Sequence, residues 1–194
     1  MVTGRKSGIA RDGLAFVALV ALMTLMPGGG AMAQDMPVSK EGVSCAATPA
    51  ALPAELSGWA RRVPLPAGRD AASAALLEPG IAVDGTLAPT TEVRYALRPE
   101  KPGGSVSFGG IFAFRVPEAG RYRVALGSAA WIDVVETGAI GKDGSGLASI
   151  AHGHGPDCSG IRKMVDFALE PGDYVLQIAA NARAALPLLV TRLP

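Results

Sequence analysis

Aromatic residues make up 5% of this 194-residue chain and charged residues 18%, and histidine and cysteine occur twice each. Each scarcity excludes something. Eighteen Lys and Arg nearly cancel 17 Asp and Glu, leaving a formal net charge of +1. That removes the basic excess a nucleic-acid partner requires. Two histidines cannot build a centre of three imidazoles. No G-x-S-x-G elbow marks a nucleophilic serine, and the glycine-rich run lacks the G-K-[ST] ending of a phosphate loop. The longest apolar stretch, Gly13 to Met26, is too short to cross a bilayer comfortably. What is abundant is small or turn-forming: 34 alanines, 25 glycines and 15 prolines.

The first 33 residues carry the pattern of a secretory signal peptide. Arg5, Lys6 and Arg11 form a positive start, Gly13 to Met26 the apolar centre, and Ala31-Met32-Ala33 the small-x-small cleavage site. Cleavage would leave 161 residues starting at Gln34, with a net charge of −1. No cysteine follows the site directly, so lipidation there is not expected. The pattern is bacterial in style and points to the periplasm or secretion, with the membrane touched only through the signal. Both Cys45 and Cys158 remain after cleavage. In an oxidising compartment they read first as one disulfide. Free thiols, or Cys158 as a metal ligand, are the alternatives.

Residues 34–91 read as a Pro/Ala-rich arm with short helical turns at Pro53 to Trp59 and Asp70 to Leu77, with Trp59 docking it on the main body. From residue 92 to 194 the chain breaks into short alternating runs: 93–97, 106–108, 112–116, 122–126, 131–135, 164–169, 174–178 and 188–193. Gly/Pro turns at roughly ten-residue spacing predict an all-β antiparallel sandwich or jelly roll.

Two segments repeat. Phe114-x-Val116-x₃-Gly120-x-Tyr122-x-Val124-x-Leu126 matches Phe167-x-Leu169-x₂-Gly172-x-Tyr174-x-Leu176-x-Ile178 within one loop residue. The reading is two equivalent hairpins, each filling one buried face, with the tyrosines as corner anchors. Arg121 and Arg123 read as a solvated outward face, and Asp133 as either an outward strand residue or a cross-strand partner for Arg123.

Chemistry is concentrated between Gly138 and Gly160, which holds seven glycines, both histidines and Cys158. His152-Gly153-His154 on a strand would put both imidazoles on one face, about 6–7 Å apart at Cα. With Asp157 and Cys158 close by, Zn, Cu or Fe is the metal such donors would hold. Gly146-x₅-His152-x-His154 resembles the opening of the cupin metal motif, although Cys158 and Ser159 stand where that motif has Glu. The resemblance implies a jelly roll with His152 and His154 as metal ligands and an oxygenase activity. Residues 122–135 (YRVALGSAAWIDVV), 152–167 (HGHGPDCSGIRKMVDF) and 171–181 (PGDYVLQIAAN) resemble a family of small secreted Gram-negative proteins. Some of its members carry a homogentisate 1,2-dioxygenase label. The resulting expectation is a non-catalytic periplasmic binding or accessory module without a cofactor, its partner a small molecule, a glycan or a periplasmic protein. The alternative is a metal-binding protein or cupin-like oxygenase using His152 and His154.

Overall fold

A computed structural model describes Cys45 and residues 51–140 and 146–194. The expected signal peptide and residues 141–145 of the glycine-rich run lie outside the described residues. The described chain is an all-β sandwich of two sheets. Its strands are β1 (Arg62–Pro66), β2 (Ala75–Leu77), β3 (Ala82–Thr86), β4 (Ala88–Pro89), β5 (Phe108–Val116), β6 (Gly120–Leu126), β7 (Trp131–Glu136), β8 (Ala151–Gly153), β9 (Lys163–Leu169), β10 (Gly172–Asn181) and β11 (Ala185–Arg192). One sheet runs β1-β3-β11-β6-β9-β8 and the other β2-β5-β10-β7, with β4 beside β5. Period-two alternation sends Phe112, Phe114, Tyr122, Val124, Leu176 and Leu188 into the space between them.

The paired motifs form neither hairpin expected from the sequence. β5 lies in one sheet and β6 in the other, and β9 and β10 likewise change sheets, so each motif is an arch across the sandwich. The two arches then pair antiparallel with each other. Tyr122 stands opposite Phe167 and Gly120 opposite Leu169 in one sheet. Tyr174 stands opposite Phe114 and Gly172 opposite Val116 in the other. The Phe of each motif thus meets the Tyr of the other, and Phe114 and Tyr174 stack with centroids 5.6 Å apart. The corner role of the tyrosines holds. Tyr122 Oη donates to the Glu118 carbonyl at 3.0 Å and Tyr174 Oη to the Glu170 carbonyl at 2.8 Å.

Residues before position 92 do more than form an arm. Four strands fall there, and β1–β3 and β2–β5 are parallel pairs, so both sheets are mixed. The helix expected at 70–77 is absent: Asp70 and Ser73 close a local turn, and the chain goes on as a strand. Ser73 N donates to Asp70 Oδ1 at 2.8 Å, and Ala75–Leu77 then joins β5. Conversely, Val93 to Leu97 forms no strand. The buried Gln177 side chain holds that segment by bonding both the N–H and the carbonyl of Leu97, each at 2.9 Å. The expected turn near Trp59 is a 3-10 helix, Ala54–Ala60. Its Leu56 and Trp59 form a second core with Ala125, Ile161 and Leu189 on the outer face of the six-stranded sheet.

The ion pairing also differs from expectation. Asp133 and Arg123 belong to different sheets. Arg123 faces Asp166 across β6–β9 and binds it through Nε at 2.7 Å and Nη2 at 2.9 Å, with Arg121 Nη2 at 3.2 Å. Asp166 is 2% exposed, and its bond raises the Arg123 pKa further. The outward face is therefore a partly buried ion-pair cluster rather than a solvated one.

Two costs follow for urea unfolding at unchanged slope. Tyr122→Phe or Tyr174→Phe loses one net hydrogen bond, about 1 kcal/mol. Asp166→Ala leaves Arg123 without its carboxylate and should cost about 3 kcal/mol. An Asp166→Ala protein as stable as the parent would contradict the role assigned to this cluster.

Candidate functional site

Among the described residues β7 ends one sheet and β8 the other, and on this side of the sandwich, where Leu147 N donates to the Val134 carbonyl of β7 at 2.8 Å, a cleft of about 610 Å³ opens. Its floor is the core itself: Ile132 from β7 with Val165 and Phe167 from β9. Its rim carries Lys101, Trp131, Asp133, Ser149, His152, His154, Arg162 and Lys163.

Lys163 has the same strand phase as Val165 and Phe167, so its side chain runs toward the sandwich interior. Its Nζ donates to the Ala130 carbonyl at 2.8 Å and lies 5.6 Å from the Trp131 ring centroid. Lys101, from the segment before β5, brings a second ammonium to 5.3 Å from the same centroid. The ring thus carries two cations. Burial, and then the charge of Lys101, holds the Lys163 pKa below the usual lysine range, against the opposing pull of Asp133. Trp131 Nε1 donates to Asp133 Oδ1 at 2.9 Å, while Asp133 Oδ2 is buried without a hydrogen-bond partner. Burial pushes the Asp133 carboxyl above the usual range, more than the Trp131 bond and the nearby Gln177 amide lower it.

His152 sits on β8 opposite Val165, and His154 follows just beyond it. Both are exposed and both line the cleft, as the H-x-H spacing implies. The remaining two of the expected metal ligands do not join them. Asp157 and Cys158 line a separate, shallower depression that His154 also borders. Cys158 is bonded to Cys45, with Cα atoms 5.2 Å apart, so its sulfur is no thiolate donor. His154 Nδ1 bonds the Arg162 carbonyl at 2.7 Å. Among the described residues no group of three His, Cys, Asp or Glu side chains stands where it could hold a metal ion. Arg162, Lys101 and Lys163 line the same cleft as the imidazoles, and a Zn, Cu or Fe ion there would meet repulsion. The donor set does not fit the centre that the cupin resemblance implies.

The disulfide closes a separation of 113 residues, worth roughly 4–5 kcal/mol in the chain-entropy account. It also anchors the 154–161 loop beside the cleft, which Trp59 Nε1 holds through the Ser159 carbonyl at 2.9 Å. Lys101 was not among the residues singled out from the sequence, since a lone lysine in a Pro/Gly segment carries no periodic signal. For Lys163 the parity with Val165 and Phe167 is the sequence signal that it points inward. No protein-family model matches the sequence, and no curated protein matches it either.

Asp133→Asn keeps the shape and the Trp131 bond but removes the charge. A carboxyl whose pKa is raised by folding is penalised when ionised, so its cost to stability grows as pH rises through the aspartate range. Asp133→Asn should therefore melt above the parent at pH 7, with the gap shrinking toward pH 3. Thermal melts at the two pH values check this, and an unchanged gap would contradict it.

Proposed function

We propose that this protein is an exported, non-catalytic binding module whose ligand site is the cleft between β7 and β8. The observation that carries the reading is the cleft's composition. An apolar floor reaches the core, and a few polar side chains converge over it, two of them with shifted pKa values. Ligand sites are built in that way. The Cys45–Cys158 bond suits an oxidising compartment. Among the described residues no helix is long and apolar enough to cross a membrane. With the N-terminal export pattern, these features support a periplasmic or secreted location.

Two measurements test the reading. Expressed from the full sequence in a Gram-negative host, the mature protein should be recovered from the periplasm beginning at Gln34, by intact mass. In a fragment screen by ¹H–¹⁵N NMR, shift changes should cluster on Trp131, His152, Lys163 and Val165. Hits confined to another face would reject this cleft as the ligand site.

A further inference from the structure

The lining of the cleft says which class of molecule it takes, an inference that rests on the binding reading above. Three cationic side chains, Lys101, Arg162 and Lys163, face one carboxylate, Asp133. Counting only Lys, Arg, Asp and Glu, the described lining carries an excess of two positive charges. The whole chain is balanced to within one charge, so the excess is local. Lys163 uses one donor on Ala130 and keeps its other N–H groups for a ligand. Holding a half-buried ammonium beside a second one is costly unless something negative arrives. Asp133 does not offset both ammoniums. Its Oδ1 accepts from Trp131, and its Oδ2 has no donor at all.

Other ligand classes fit less well. A sugar site uses an open aromatic face with neutral amides and hydroxyls around it. Here the Trp131 ring is taken up by two ammonium groups, and among the described lining side chains Ser149 supplies the single hydroxyl. A cationic ligand would meet the lysines directly. The floor of Ile132, Val165 and Phe167 suits an apolar body and offers no polar side-chain group.

We propose that the cleft binds a small amphiphilic anion, its charged oxygens held by Lys163 and Lys101 and its apolar body laid on Ile132, Val165 and Phe167. Carboxylates and phosphate monoesters share the headgroup chemistry, and the experiment separates them.

The test is calorimetric titration of the full mature protein, at low and at physiological salt, with octanoate, octyl phosphate, octanol and octylamine. Octanoate, octyl phosphate or both should bind at least tenfold tighter than octanol, and octylamine weakest. Whichever anion binds tighter identifies the headgroup. Lys163→Met keeps the stem and removes the charge. It should weaken the anions tenfold or more and leave octanol within twofold, while circular dichroism confirms the fold. Lys101→Met, at an exposed position, provides a second variant should Lys163→Met unfold. Equal binding of octanol and octanoate, or anion binding indifferent to both substitutions, would overturn the anion assignment and leave the cleft standing as a ligand site. Binding of no probe in this series also overturns it, and the fragment screen then decides separately whether the cleft binds ligands at all.

Discussion

Tyr122 faces Phe167 across one sheet while Tyr174 faces Phe114 across the other, and both tyrosine hydroxyls reach back four residues to a corner carbonyl. That reciprocal contact is what the rest of the molecule depends on. It locks two arches, β5–β6 and β9–β10, into an antiparallel pair that spans both sheets. Once β6 is paired with β9 and β5 with β10, the inward side chains of four strands are committed to one core. β11 and β3 then extend one sheet on one side of this unit, and β7 and β8 are left at the ends on the other.

The cleft follows from that arrangement. Among the described residues neither β7 nor β8 has a further strand beyond it, and the core is the floor of the opening there. The alternation that buries Val165 and Phe167 also places Lys163 at the mouth. A cation in that phase cannot turn outward without a register slip of one residue, which would expose the core residues of β9. Trp131 and the Ala130 carbonyl are what make the position tolerable: a ring and an acceptor replace part of the lost hydration. The charge stays half-sheltered beside an apolar floor, and this asymmetry gives the cleft its chemical character.

Much of this was legible in the residues. The all-β class, most strands after position 108, the corner tyrosines and the Cys45–Cys158 pairing follow from alternation, turn chemistry and cysteine count. The repeat was visible too, but a strand-turn-strand pattern looks the same whether the second strand returns to its own sheet or crosses to the facing one. Local sequence therefore suggested hairpins where arches exist. Strands β1 to β4 were missed for a related reason. They are two to five residues long, and pairing of β1 with β3, of β3 with β11 and of β2 and β4 with β5, rather than local periodicity, defines them. At the site, His152 and His154 both line the cleft. The charge that surrounds them comes from Lys101, some fifty residues earlier, and from Lys163 on a different strand. No linear motif joins those positions.

The central claim is that the sheltered ammonium of Lys163 stands ready to neutralise an anion. Its titration, followed by NMR with carbon-labelled lysine, tests this most directly. The free protein should show one lysine titrating below the usual range, and Lys163→Met should remove that signal. Saturating the cleft with the tighter-binding of the two anionic probes should move the same titration upward, because a neighbouring negative charge favours the protonated form. A Lys163 that titrates like an ordinary surface lysine, or whose titration ignores a bound anion, would contradict the account.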